Sequence, residues 1–289
     1  MSAQSLILTD PTQIGGTRRL NYSKRGQSLQ VPILCMHGLT RNGRDFEALA
    51  QALEPQHQVL CPDMAGRGGS DWLTTKLNYH YGTYLTDTMS LLTSQNITQV
   101  GWVGTSMGGI LGMMAASASP TLVKWLVLND VGSRIPAAAL KRITDYAGSM
   151  QRFASREAGE AALRNIGQSF GLRNESEWQQ FISATLEPTT DGHWQFACDP
   201  DILLPLKQQS ADFSLLEDVD LSVFWEAITC PVLLLRGGDS DILPHDIAQA
   251  MAQRPNVTLV EFPAVGHAPA LLSAEQILSV TRWITAQAL

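Results

Sequence analysis

Ser106 stands in Val100-Gly101-Trp102-Val103-Gly104-Thr105-Ser106-Met107-Gly108-Gly109, an apolar run that breaks into Gly-x-Ser-x-Gly. A stretch rich in Ala, Met and Leu follows, to Ser119. A serine hydroxyl is a poor nucleophile until it is held exposed and its proton is taken. A sharp strand-to-helix turn does the first, and Gly104 and Gly108 would let that turn approach its neighbours. A helix starting after the turn would aim its first free N–H groups at the same spot. The bland alternative is a glycine-rich turn carrying an inert serine. The rest of the chain decides by whether it offers a base and an acid.

On such a turn the chain order is serine, acid, histidine. Of six histidines, only two lie late in the chain. His245 follows Pro244 at a polar helix start and reads as solvated. His267 lies in Phe262-Pro263-Ala264-Val265-Gly266-His267-Ala268-Pro269, directly after the last expected strand, and is the expected base. His37, His57, His80 and His193 read as structural or pocket-lining. For the acid, three carboxylates stay open. Asp239 and Asp241 share the turn Gly237-Gly238-Asp239-Ser240-Asp241-Ile242-Leu243-Pro244, and Asp130 ends Leu128-Asn129-Asp130-Val131-Gly132. Each could equally be a turn or cap residue. Acyl transfer also needs two backbone donors for the oxyanion. The N–H of Met107, directly after the serine, is one. That of Leu39, where Gly38 permits a tight bend after His37, is the other.

Apolar runs alternate with amphipathic stretches to position these groups. Val31–Met36, Gln58–Cys61, Val100–Gly104, Trp125–Leu128, Val232–Leu235 and Val257–Val260 read as strands. Helices are expected over Gly43–Leu53, Tyr81–Ser94, the stretch after Ser106, His245–Gln253 and Ser273–Ala288. Near-continuous apolar strands between helices mark a parallel sheet covered on both faces. The alternation stops after Asp130 and resumes at Val232. The span between is helical in composition, with no clear sheet strand. Residues 1–133 and 226–289 therefore read as one core, and 134–225 as an inserted helical cap of a size within the range of a folding unit.

With His37-Gly38, Asp63-Met64-Ala65-Gly66-Arg67-Gly68-Gly69-Ser70, Gly104–Gly109 and Gly266-His267 in this order, the chain resembles the α/β-hydrolase fold family from about Val31 onward. The resemblance implies a mostly parallel sheet and a cap between the sixth and seventh core strands. It makes the Asp63–Ser70 loop structural, with no catalytic role for Asp63 or Arg67. It also places the acid after the seventh strand, where the Gly-x-x-Asp spacing of Gly238-Asp239-Ser240-Asp241 selects Asp241. The implied triad is Ser106, Asp241 and His267, with Leu39 and Met107 as oxyanion donors.

A serine at the turn excludes the branches of this family that use an aspartate nucleophile. It suits acyl transfer, and hydrolysis of small carboxylic esters through an acyl-enzyme is the broadest expectation. The alternatives are a carbon–carbon bond hydrolase or enol-lactonase of aromatic degradation, a perhydrolase using the same triad, and, more remotely, a silent small-molecule receptor.

Composition narrows the partners. The 289 residues carry a net charge of −7 with scattered Lys and Arg, which argues against nucleic acid. No run of 18 apolar residues suggests a membrane span, and Met1–Thr12 lacks a basic signal region, so a cytoplasmic address is expected. Cys35, Cys61, Cys198 and Cys230 are widely spaced and read as reduced, small hydrophobes. No ligand spacing suggests a metal, and no cofactor is expected. Oligomeric state and acyl-chain preference are not legible.

Overall fold

A hairpin precedes the expected alternation. The computed structural model describes residues 2–10, 16–27, 29–148, 152–209 and 217–287. In it, β1 (Ser2–Thr9) pairs antiparallel with β2 (Thr17–Arg25), with Leu6 opposite Leu20. Leu20 and Tyr22 turn inward, and so does Arg18, whose guanidinium is ion-paired with buried Asp87. An inward arginine breaks the alternating pattern by which a half-buried strand is read.

Then come β3 (Ile33–Met36), α1 (Glu47–Leu53), β4 (Val59–Pro62), α2 (Tyr81–Ser94), β5 (Val100–Thr105), α3 (Met107–Ala118) and β6 (Val123–Asn129). Beyond Asn129 the chain leaves the sheet. β7 (Arg134–Ile135) starts an excursion through α4 (Ala137–Gly148), α5 (Arg156–Ile166) and α6 (Glu175–Thr185). The ribbon of β8 (Leu186–Pro188) and β9 (Trp194–Phe196) follows, then α7 (Leu204–Gln209). β10 (Val219–Asp220) closes the neck antiparallel to β7, and the Leu221 N–H donates to the Ser133 carbonyl at 2.8 Å. The excursion thus holds two short ribbons where only helices were expected. α8 (Ser222–Glu226) returns to pack on α3 and carries buried Trp225. The sheet resumes with β11 (Val232–Gly237), α9 (His245–Met251), β12 (Val257–Phe262) and α10 (Ala274–Gln287).

Eight strands form one sheet in the order β1-β2-β4-β3-β5-β6-β11-β12. β1, β2 and β4 pair antiparallel, and every pair from β4 to β12 is parallel. The inner strands are buried along nearly their whole length, which requires helices on both faces. One core cluster gathers Leu91, Trp102, Ile110 and Met251, and the other Leu49, Trp125, Val127 and Ile284. Parallel strands bring their carboxyl ends to one edge, and there the turns after β3, β5, β6, β11 and β12 converge. No helix among the described residues is long and apolar enough to cross a membrane.

Candidate active site

Ser106 joins β5 to α3 with φ 51° and ψ −114°. A non-glycine residue at such angles is strained by about 1–3 kcal/mol and persists only where its surroundings demand it. Here they do. A Cβ on Gly104 would lie 2.3 Å from the Gly108 carbonyl oxygen, and one on Gly108 would lie 2.0 Å from that of Met36. The turn can close only on glycine at both positions. The Ser106 N–H donates to the Asn129 carbonyl (3.0 Å), tying the turn to the end of β6.

His267 hangs from the loop after β12, which crosses back over the end of β11. Asp239 N–H donates to the Val265 carbonyl (2.8 Å), and the Asn129 side-chain amide donates to the Pro269 carbonyl (2.8 Å). This path sets His267 Nε2 3.0 Å from Ser106 Oγ. Its Nδ1 lies 2.7 Å from Asp130 Oδ2, and Asp130 is fully buried. A carboxylate accepts only, so Nδ1 carries the proton and Nε2 is left as acceptor for the serine hydroxyl.

The carboxylate at His267 is therefore Asp130, and the assignment of Asp241 is corrected. Asp241 is exposed, and its two oxygens accept from Arg142 Nε (2.6 Å) and Nη2 (2.8 Å). Partial burial pushes its carboxyl up, but the bond and charge of Arg142 outweigh this and hold it below the usual range. Asp239 is exposed too. Of that turn, the polar side chain facing inward is that of Ser240. Its hydroxyl donates to Asp130 Oδ2 (2.6 Å), while the Gly237 N–H donates to Oδ1 (2.9 Å). Asp130 reaches this place because β6 and β11 are neighbours, with Asn129 opposite Leu235, and because its φ of 59° turns the chain at the strand end. Ser240→Ala is expected to lower kcat about 10- to 150-fold, as loss of the hydrogen bond to charged Asp130 implies about 1.5–3 kcal/mol. Steady-state kinetics on a chromogenic ester checks this, with a melting midpoint to confirm the fold.

Gly38 lies against the serine: a Cβ there would sit 3.9 Å from Ser106 Cβ. Its carbonyl accepts from His37 Nδ1 (2.7 Å) and from the Arg41 N–H (3.2 Å). In a trans peptide C=O and N–H point oppositely, so these bonds also fix the direction of the Leu39 N–H. His37 Nε2 accepts from the Met64 N–H (2.9 Å). Burial drives the His37 pKa down to about 3, so the ring is neutral near pH 7 and can keep that donor–acceptor pattern. The fixing role of His37 was not legible in a bare His-Gly pair. Met107 opens α3, where the first N–H groups have no partner in their own helix.

Over these groups lies a cavity of about 220 Å³. Ile143, Ile166, Phe170 and Phe181 from the excursion line it, with Leu271 and Leu272 from the His267 loop. Trp178 and Trp225 are not part of this wall. Trp178 packs edge-on to Phe181, and Arg254 stacks over Trp225. Three arginines reach the wall: Arg41, paired with Asp45; Arg142, paired with Asp241; and Arg44, which donates to the Ser183 carbonyl. His245 is exposed beside Glu261. Among the described residues, no three His, Cys, Asp or Glu side chains gather as metal ligands.

Residues 31–274 match the family model for the alpha/beta hydrolase fold. The chain is 38% identical over 275 residues to a 3-hydroxybutyrate-oligomer hydrolase of Cupriavidus necator, covering 93% of this chain and 94% of that protein. An alpha/beta hydrolase from Novosphingobium aromaticivorans superposes with a TM-score of 0.87 at 34% identity, over 98% of both chains. A pimeloyl-[acyl-carrier protein] methyl ester esterase of Xanthomonas campestris is 24% identical, over 85% of this chain and 91% of that one.

Proposed function

The chain belongs to the α/β-hydrolase family, and within it we propose a serine hydrolase of short carboxylic esters that acts on oligomers of 3-hydroxybutyrate. The observation that carries the chemistry is the hydrogen-bonded series Ser106 Oγ, His267 Nε2, His267 Nδ1, Asp130 Oδ2, at 3.0 and 2.7 Å. Ser106 Oγ attacks the ester carbonyl as its proton passes to Nε2, and the carbonyl π pair moves onto oxygen between the Leu39 and Met107 N–H groups. Asp130 stabilises the imidazolium. Collapse expels the alcohol, which takes the proton from Nε2. Water then adds to the acyl-enzyme, giving its proton to the same nitrogen, and the acid leaves with Ser106 restored.

The relative from Cupriavidus necator suggests the substrate, and the cavity wall is compatible with it. Such an oligomer is an ester ending in a carboxylate. The wall carries Arg41, Arg44 and Arg142 against Asp45, in a protein whose net charge is −7. Arginine is suited to carboxylates. The excursion from 134 to 225, which supplies Ile143, Ile166, Phe170 and Phe181 to the cavity wall, serves in this reading as a cap over the acyl group. Four free cysteines, three of them buried, are compatible with a reducing, cytoplasmic setting.

A fluorophosphonate followed by peptide mass spectrometry tests the nucleophile, with the adduct expected on Ser106. The 3-hydroxybutyrate dimer, its methyl ester and p-nitrophenyl butyrate test the substrate. Turnover of all three is expected, with the highest kcat/KM for the free acid over the methyl ester. An adduct on another serine would refute the nucleophile, and a preference for the methyl ester would refute the oligomer reading while leaving an esterase. The enol-lactone and carbon–carbon readings draw on no observation of their own.

A further inference from the structure

Arg67 is among the largest fully buried side chains of the protein, yet no described carboxylate pairs with it. Its Nε donates to the Leu39 carbonyl (2.9 Å), and its Nη1 to the Ala65 carbonyl (2.7 Å) and the Tyr84 hydroxyl (2.7 Å). Its Nη2 lies 3.9 Å from Met107 Sδ, and its guanidinium carbon stands 4.8 Å from the Tyr84 ring centre and 5.6 Å from that of Tyr79. The buried acid of this neighbourhood, Asp199, is taken by Lys76 and by the Tyr79 hydroxyl (2.5 Å). An ionised group out of water without a counter-charge is among the most unfavourable things a fold can hold. Arginine cannot escape by losing its proton.

Two of the residues that Arg67 touches across the chain, Leu39 and Met107, are those whose N–H groups face the oxyanion in the mechanism above. We propose that Arg67 is a positioning residue for the oxyanion: a fixed positive charge that holds Leu39 by its carbonyl and packs on the Met107 side chain. The inference rests on the serine-hydrolase reading. Its physical content is that the missing counter-charge arrives during the reaction. A low-dielectric surround leaves the field of Arg67 little screened. Among the described residues no carboxylate is bonded to Arg67 in the ground state, and its field is met by the negative charge that forms on the carbonyl oxygen. An interaction present only in the transition state raises kcat rather than lowering KM. The neutral groups around the guanidinium take the Nε and Nη1 hydrogen bonds without cancelling its charge. A purely structural arginine would be served as well by a carboxylate.

The test separates charge from shape. Arg67→Met keeps much of the length without the charge, Arg67→Gln keeps polar contacts without it, and Arg67→Lys keeps the charge without the fork. Two inhibitors report the two states of the site: a butyl trifluoromethyl ketone, which adds to Ser106 as a hemiketal oxyanion, and the corresponding secondary alcohol, which stays neutral. In Arg67→Met and Arg67→Gln, kcat for p-nitrophenyl butyrate and affinity for the ketone are expected to fall together by about tenfold to a hundredfold. KM and affinity for the alcohol should stay within about twofold. Arg67→Lys should recover most of both losses. If ketone and alcohol affinities fall alike, or if folded Arg67→Lys loses as much as Arg67→Met, Arg67 acts by packing alone and the proposal is overturned. Should neither neutral variant fold, a loss above a hundredfold in folded Arg67→Lys overturns it and a loss under tenfold supports it. A wild-type protein that turns over no ester and takes up no ketone sinks the hydrolase reading and this one with it. Normal turnover with unmoved Arg67 variants sinks this one alone.

Discussion

Replacing Ser106 with alanine is expected to lower kcat/KM for p-nitrophenyl butyrate by about 10⁴-fold or more, with the melting midpoint unchanged or raised. In the proposed mechanism the loss follows from removal of the atom that forms a bond to substrate. What remains is the contribution of the Leu39 and Met107 donors and of binding. The melting result has a separate cause. The strained φ of 51° at position 106 stays, but a polar hydroxyl beside the apolar cavity is gone. Alanine adds no atom that the turn must accommodate. Stopped-flow or long-time-course kinetics on purified Ser106→Ala checks the first point and calorimetry the second. A residual activity within a hundredfold of wild type would move the nucleophile elsewhere.

Asp130→Asn should reduce kcat by about 10³- to 10⁴-fold, whereas Asp241→Asn should change it by less than about threefold. In serine proteases with the same relay, the corresponding change costs about 10⁴-fold through the wrong imidazole tautomer. The same logic applies to the contacts here. Asp130 Oδ2 takes both the His267 Nδ1–H and the Ser240 hydroxyl, and Oδ1 takes the Gly237 N–H. An amide group cannot accept at both ends, so one face must present N–H groups. If that face meets His267, the ring turns its own proton toward Ser106 and can no longer take one. Asp241→Asn breaks only an exposed ion pair with Arg142, a contact whose typical worth is about 0–1 kcal/mol. Parallel kinetics on the two variants decides the matter, and equal losses would return Asp241 to the site.

That pair of variants also marks the line between local and tertiary information. Ser106 was legible because its constraint is local. Gly104 and Gly108 on either side of a strand-to-helix transition encode a turn that no other residue type could close. His267 was legible because a loop directly after the last strand has one place to go, back along the sheet edge. The inner strands were legible as apolar runs, since a strand buried on both faces needs no partner to declare its pattern. The β1–β2 hairpin was not. Its inward Arg18 makes sense only once Asp87 of α2 lies against it.

The acid could not be chosen from sequence, because Asp130, Asp239 and Asp241 all follow strands that end at the same edge. Spacing after β11 favoured Asp241, but spacing does not say which side chain of a turn points inward. That is decided by neighbours distant in the chain. Asn129 lies opposite Leu235, Gly237 and Ser240 donate to Asp130, and Arg142 of the excursion draws Asp241 outward. The inward place after β11 is held by Ser240, a residue that cannot be the acid and instead supports the one on the next strand. The residue types of the proposed triad and their order belong to the sequence. Which carboxylate faces the imidazole belongs to the tertiary structure, because it depends on strand adjacency and on competing partners that no local spacing encodes.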